Sequence, residues 1–427
     1  MRIKKLNIKD FKIFKGEHQI TFPEKNIPVV FVGINGAGKT TVIEAIIGCL
    51  WEFIQKIQGK RTKKRENFSR SNINIWADEY AQSKLDWEHY SDSNLESGFE
   101  LRRTIEPEYN LISNTAVHDL ADRLKGEVGF YKKESGIPIV VFYPVERNVL
   151  SPSLKTTNIQ KGNQFNAYDG AFEGSIDFND FFSWFRSSED LENEIRLNND
   201  NTYTDKGLDA VRAAVLSFLE EFSKMRVSRK ERTSLVLEKN GYEFEVDQLS
   251  HGEKALIAMI GDLARRLVIA NPGNPNPLNG EGIILIDELD LHLHPKWQRT
   301  IISKMRKTFP NLQIICTTHS ALVINHLHIN SIFLLENGKC IRLEDKYKNF
   351  ETYGADVEDI LKIVQNAEKL IPDEIKEMLN QLFALIENDE EAKAKQIIEK
   401  LKKITDPNQP DLLRAETQLR YKELIKE

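Results

Sequence analysis

Cysteine is scarce in this chain. Three residues, Cys49, Cys316 and Cys340, stand among 427. They are far apart and lack the paired spacing of a zinc site or a disulfide framework, so a reducing, cytoplasmic setting is expected. Long apolar runs are missing as well. None approaches the ~20 residues that a membrane span needs, and Met1-Arg2-Ile3-Lys4-Lys5-Leu6 lacks the apolar stretch of a secretion signal. No membrane partner is expected. Nor is there an excess of basic charge: 59 Lys+Arg against 65 Asp+Glu leave a formal net charge of −6. That balance gives a dedicated duplex-DNA binder no support, although a local basic patch stays open. Sustained heptads are absent, which excludes a long coiled-coil arm. What the chain does have is 40% hydrophobic and 29% charged residues, enough for a sizeable core in two or three domains, or in one large domain with insertions.

The patterning alternates strands with helices. Ile3 to Phe11 reads as a half-buried strand, and Phe11 to Phe22 as a strand pair with Lys15-Gly16 at its turn. Val29-Val30-Phe31-Val32 is the continuous apolar run of a strand buried on both faces. From Thr40 to Ile57, apolar residues recur at helical spacing. Strands are expected at 99–105, 137–143, 283–286 and 313–316, with a helix at 297–309 between the last two. Phe178 to Arg196 and Gly207 to Lys224 read as helices of an inserted lobe at about 165–228. Ser151 to Gly174 and Asn271 to Gly280 read as loops. Thr233 to Val246 reads as a hairpin turning at Asn240-Gly241. Beyond about 346, Leu379, Leu382, Phe383 and Ile386, then Ile397, Ile398 and Leu401, then Leu412, Leu419 and Ile425 suggest about three helices, interrupted at Pro407 and Pro410. The expected fold is α/β around a mostly parallel sheet.

Four stretches carry chemistry. Gly33-Ile34-Asn35-Gly36-Ala37-Gly38-Lys39-Thr40 matches the P-loop pattern at every fixed position. Its glycines let successive N–H groups face phosphate oxygens, Lys39 would reach the outer phosphates, and Thr40 would ligate Mg²⁺. Asn35, Gly36, Gly38 and Thr41 complete the expected phosphate cradle. Ile283 to Ile286 runs into Asp287-Glu288, an apolar strand ending in two carboxylates. Asp287 would hold Mg²⁺ and Glu288 would orient or deprotonate water. Leu249-Ser250-His251-Gly252-Glu253-Lys254 opens a helix. Ser250 with Glu253 three residues on also makes a capping box, and the two readings are compatible because a capped helix start is itself an anion site. Cys316-Thr317-Thr318-His319-Ser320 follows a buried strand and presents His319. His292, His294 and Glu288 invite a metal reading, but no further His or Cys cluster nearby. The basic run Lys60 to Arg65 could meet nucleic-acid phosphates or could be a solvated insertion. It has no interleaved aromatics for base stacking.

In their order, these motifs resemble the ABC ATPases of the SMC, RecF and OLD type over roughly residues 1–345. The resemblance implies a P-loop ABC/SMC-head fold with a mixed sheet, an inserted helical lobe and a helical C-terminal appendage at 346–427. It implies ATP and Mg²⁺ as cofactors, with Glu288 and His319 as catalytic residues. It assigns Ser250 and Gly252 to the ATP held by a second copy, adds Glu253 and Asp290 to the nucleotide-binding residues, and places Asp290, in Leu289-Asp290, on a loop that contacts that copy. A homodimer or higher homo-oligomer is therefore implied. Gln82 and Glu146-Arg147 are candidate neighbours of the site. No TOPRIM-like acidic constellation is apparent, so intrinsic nuclease activity is not expected. The tail, with Pro410-Asp411-Leu412-Leu413-Arg414-Ala415-Glu416, looks similar to the ATPase subunits of Septu and Septu-like retron anti-phage systems. That likeness implies an HNH nuclease as protein partner, with DNA or RNA contacted directly or through it. The alternative is a RecF-like repair clamp that binds DNA itself.

Overall fold

The structure is a computed structural model. It describes residues 1–24, 27–59, 70–77, 80–89, 92–104, 110–113, 115–130, 136–145, 163–172, 178–198, 200–230, 233–365 and 371–426. Strands β1 (Arg2–Phe11) and β2 (Phe14–Thr21) form a hairpin, and β3 (Val29–Val32) runs into α1 (Lys39–Ile57). Then come β4 (Tyr80–His89), β5 (Asp92–Thr104), β6 (Asn110–Ser113), α2 (Thr115–Phe130) and β7 (Ile139–Tyr143). Helices α3 (Phe178–Asn198) and α4 (Lys206–Phe218) lead to β8 (Phe222–Ser228), β9 (Ser234–Lys239) and β10 (Tyr242–Glu245). After α5 (His251–Ala270) follow β11 (Gly282–Ile286), α6 (Pro295–Thr308), β12 (Leu312–Thr317), α7 (Ala321–Ile324), β13 (Ile332–Glu336), β14 (Lys339–Arg342), α8 (Leu343–Lys346) and α9 (Val357–Gln365). The chain continues with α10 (Asp373–Glu387), α11 (Glu391–Ile404) and α12 (Pro410–Lys426). Among the described residues, no helix is long and apolar enough to cross a membrane.

The chain divides into two compact units, Met1–Gln365 and Asn366–Glu427. Leu343, Ile360 and Val364 are buried in the core of the first unit. The second unit has its own core, in which Leu379 and Leu382 of α10, Leu401 of α11 and Leu412 and Leu419 of α12 are buried.

The centre of the first unit is a mixed six-stranded sheet in the order β14-β13-β3-β12-β11-β7. All of its pairings are parallel except β13 with β14. Val29–Val32, Gly282–Ile286 and Leu312–Thr317 are buried along their whole length, as continuous apolar strands covered on both faces must be. A five-stranded antiparallel sheet (β2-β1-β4-β5-β6) and a three-stranded one (β10-β9-β8) complete the unit. The Asn240-Gly241 hairpin is as expected, with both residues at positive φ (53° and 80°), the requirement of the tight turn that suits strand twist.

Two expectations are corrected. The first hairpin turns at Lys12-Ile13, because Phe11 pairs with Phe14. Gly16, at φ 75°, sits in the β-bulge between Lys9 and Phe11, where its N–H donates to Asp10 (2.7 Å). A bulge needs the same glycine that a turn does. The helix expected to reach Lys224 stops at Phe218, since Phe222–Ser228 pairs with β9 instead. The lobe is held by buried Glu189 and Glu192, which take Arg212 at 3.0 and 3.1 Å, while Arg229 adds a second cation to Glu189 at 2.9 Å.

Candidate functional site

Because β3, β12 and β11 are adjacent and parallel, the loops at their C-terminal ends open onto one edge of the sheet. The first loop is Gly33 to Lys39. Gly36 and Gly38 take φ of 78° and 101°, which a side chain would strain. A Cβ on Gly38 would lie 2.5 Å from Ile13 Cδ1, and one on Gly33 would lie 2.4 Å from the Leu335 carbonyl oxygen. The loop is thus pressed between the β1–β2 turn and the end of β13. Helix α1 begins with no side-chain cap and no acidic residue in its first turn, so its positive end is left for an anion. Asn35, Gly36 and Thr40 are exposed and Thr41 is buried. Lys39 is buried, and its Nζ donates to the carbonyls of Gly33 (3.0 Å) and Ile34 (3.1 Å). Burial lowers the pKa of this ammonium, against the pull of Glu288, Asp287 and Asp290.

The second loop follows β11. Both oxygens of buried Asp287 accept hydroxyl donors: Thr40 Oγ1 at 2.9 Å and Thr317 Oγ1 at 2.6 Å. Its N–H donates to the Tyr143 carbonyl at 2.9 Å. Glu288 follows at φ 48°, a left-handed conformation that costs a non-glycine residue about 1–3 kcal/mol. Its N–H donates to Thr317 Oγ1 at 2.7 Å, so one threonine hydroxyl ties the two acidic residues together. Asp290 accepts from Thr318 Oγ1 and, at 3.3 Å, from the His319 N–H. The third loop therefore seats His319 beside Asp290. Burial lowers the His319 pKa, and Lys39 lowers it further, against Asp290, Glu288 and Asp287. The shift favours the neutral imidazole. Lys39, Asp287, Glu288, Asp290 and His319 feel one another's charge, so the structure brings together the candidates from three separate stretches of sequence.

The Leu249 to Lys254 stretch forms the capping box that its spacing suggested. Ser250 Oγ accepts from the Glu253 N–H (3.3 Å), and the Glu253 carboxylate accepts from Ser250 N–H and Oγ (2.8 Å each). Ser250 is exposed, while Gly252 is buried. A Cβ on Gly252 would lie 2.6 Å from the His292 carbonyl oxygen and 3.1 Å from the Trp297 ring. Among the described residues, the side-chain bonds of Ser250, Glu253 and Lys254 stay within residues 239–254. His294, one of the metal candidates, instead caps α6 by accepting from the Lys296 N–H (3.2 Å). No group of three or more His, Cys, Asp or Glu suited to a metal occurs among the described residues. Gln82 lies on β4, paired with Lys9 and Arg102. Glu146-Arg147 and Lys60 to Arg65 fall outside the described residues.

Two features beside the site had no motif to announce them. Residues 70–77 form a strap latched to the β1–β2 turn by Lys12 N–H to Asn72 O (2.7 Å) and Asn74 Nδ2 to Lys12 O (2.6 Å). It presents Trp76, 66% exposed, over a concavity of about 620 Å³ shared with Ile13 and Lys15. The other is a buried knot on α5. Asp262 accepts from the Tyr143 hydroxyl (2.9 Å), from Arg265 (2.7 Å) and from Arg266 (2.7 Å). Burial alone would raise the Asp262 pKa, but Arg266 and Arg265 outweigh it and hold the carboxyl at about 2. Since Tyr143 also receives the Asp287 N–H, α5 is fastened to the acidic strand end.

These donors fit a nucleoside triphosphate with Mg²⁺. The open helix start and glycine loop suit phosphate oxygens, and a hydroxyl and a carboxylate 2.9 Å apart suit a hard, oxygen-seeking cation. Residues 29–325 match the family described as "AAA domain, putative AbiEii toxin, Type IV TA system". The chain is 28% identical over 447 residues to "Retron Vc95 probable ATPase" of Vibrio cholerae serotype O1 biovar El Tor, a match covering 92% of this chain and 84% of that protein. It is 24% identical over 389 residues to "Septu protein PtuA" of Bacillus thuringiensis, covering 88% of each. Among solved structures, the SMC head domain from Thermotoga maritima aligns with a TM-score of 0.41 and 18% identity over 80% of this chain and 98% of that one. The family match spans well over half of the chain and runs from β3 to the end of α7, taking in every motif of the site, so the protein belongs to this AAA-domain family.

Proposed function

We propose that this chain is an Mg²⁺-dependent ATPase head that closes on a second copy when ATP is bound, and that its closure governs an effector nuclease in anti-phage defence. The observation that carries the reading is the gathering of Lys39, Thr40, Asp287, Glu288, Asp290 and His319 at one edge of the parallel sheet. Lys39 leaves the carbonyls of Gly33 and Ile34 to meet the outer phosphates. Thr40 and Asp287 would hold Mg²⁺, which when bound would supply neutralising charge at the phosphates. Glu288 accepts the proton of the attacking water. Neutral His319 donates a hydrogen bond toward the γ-phosphate. Trp76 and Ile13 offer an apolar surface to the base.

Ser250 and Gly252 serve the partner copy's ATP. The exposure of Ser250 at the start of a 20-residue helix supports this, since such a start attracts phosphate. Asp290 contacts the same copy. The likeness to the retron and Septu proteins supports the defence role. The C-terminal unit is the proposed seat of an HNH nuclease partner. It has an independent core and exposes Ile404, Leu413 and Leu424. Phosphoanhydride hydrolysis belongs to this chain and nucleic-acid cleavage to the partner.

The test is Glu288→Gln. It should bind ATP, lower turnover by about 100-fold or more, and accumulate as an ATP-bound dimer in analytical ultracentrifugation. Normal turnover, or a monomer at saturating ATP, would overturn the reading.

A further inference from the structure

We infer that the outward face of α6, with the cleft at its C-terminal end, binds the backbone and a splayed base of single-stranded nucleic acid. Between Pro295 and Thr308 this helix carries five Lys and Arg residues and no carboxylate, in a chain whose net charge is −6. Lys304 is committed to Glu220 at 2.6 Å, and Lys296 lies near Glu220 and Glu221. Arg299, Arg306 and Lys307 are exposed and form no ion pair among the described residues. At 100° per residue these three and Ser303 fall within an arc of about 100°, along a rise of about 12 Å. With no ion pair to occupy them among the described residues, these cations are open to a polyanion.

The cleft decides which polyanion. Ser303, Arg306 and Lys307 form one side of a cavity of about 300 Å³, and Ile27, Pro28 and Pro310 contribute apolar surface. That is the lower limit of small-molecule pockets and enough for one flat ring. An acidic peptide would use the cations and leave the cleft empty. A duplex would keep its bases stacked inside. A single strand uses both, with phosphates on the cations and an unstacked base against the apolar wall, the pairing of charge and platform that such strands favour. The face lies at the N-terminal ends of β3 and β12, whereas the P-loop follows the C-terminal end of β3, so it is independent of the proposed ATP site.

The test is anisotropy of fluorescein-labelled 20-mers of oligo(dT), oligo(U) and a duplex on the full chain, across a salt series. The wild type should prefer a single strand over the duplex. Arg299→Glu, Arg306→Glu and Lys307→Glu together should weaken binding more than tenfold. They should also flatten the slope of log K against log salt by about 2, the loss of three phosphate contacts at about 0.7 each. All three residues are exposed, so the triple variant should keep its thermal midpoint. Ser303→Trp, which fills the cleft, should erase the preference for single strands and leave the slope. An unchanged slope in the triple variant would overturn the proposal. So would duplex binding equal to single-strand binding in the wild type, a labelled polyglutamate that outcompetes both oligonucleotides, or loss of binding in Lys39→Ala, which would place the phosphates on the P-loop.

Discussion

Helices α1 and α5 both begin at proposed anion sites, and they are finished in opposite ways. α1 starts at Gly38 with no side-chain cap and no acidic residue in its first turn. The nearest strong donor, Lys39, bends back onto the carbonyls of its own loop. α5 starts at Ser250 and closes itself, because Glu253 receives both the backbone N–H and the hydroxyl of Ser250. One helix start is open and needs charge from outside. The other already holds the Glu253 carboxylate, with which a phosphate arriving there would have to compete. In the proposed shared site, α1 would grip first and α5 would yield second.

The largest break in this comparison is Lys39→Ala. It should lower ATP turnover at least 100-fold and weaken nucleotide binding measured by calorimetry. Near-normal turnover would mean that the open helix start is not the phosphate grip. Next is the pair Ser250→Arg and Glu253→Gln. Ser250→Arg should leave single-copy ATP affinity within about twofold while removing turnover and its dependence on protein concentration. Equal losses in affinity and turnover would place Ser250 in its own chain's site. Glu253→Gln keeps the length of the box and removes its charge. It should cost about 1 kcal/mol in denaturant midpoint and lower the ATP concentration needed for association, whereas a higher requirement would show that the carboxylate helps the phosphate.

The smallest effect sharpens how α5 is anchored. The Asp262 carboxyl is held at about 2 in the fold, below its ordinary unfolded value of about 3.9. A depressed folded pKa stabilises above the unfolded value, and that stability is lost as pH falls through about 2. Asp262→Asn should therefore be less stable than the wild type at neutral pH and should show a shallower loss of stability between pH 4 and 2, followed by circular dichroism. Parallel acid titrations of the two proteins would show that the knot does not depend on an ionised carboxylate.

The P-loop, the acidic strand end, the Ser250 box and the Thr317 to Ser320 segment were legible because each is local. A glycine loop after an apolar strand, or a serine three residues before a glutamate, fixes its geometry with few distant contacts. Boundaries and the strap were not. Gly16 is called for equally by a turn and by a bulge, and only the Phe11–Phe14 pairing tells them apart. Helix α4 stops where β9 offers Phe222–Ser228 a partner, a decision made by residues beyond Ser228. Trp76 reaches the P-loop side of the molecule through Asn72 and Asn74 bonding to Lys12, about 60 residues away in sequence. The Tyr143–Asp262 link likewise joins residues 119 positions apart. No short window contains such pairs.

The contact of Gly252 with the His292 carbonyl, four residues beyond Glu288, sets a limit on how two copies could work. There is no room for a methyl group between them. If a neighbour's phosphate pulls on the Ser250 end of α5 as proposed, the pull would reach the segment that follows Glu288 through this contact. In the proposed closed pair each copy would report the occupancy of its neighbour's site to its own Glu288. Alternating or cooperative turnover would then follow from a single close contact, with no further regulator required.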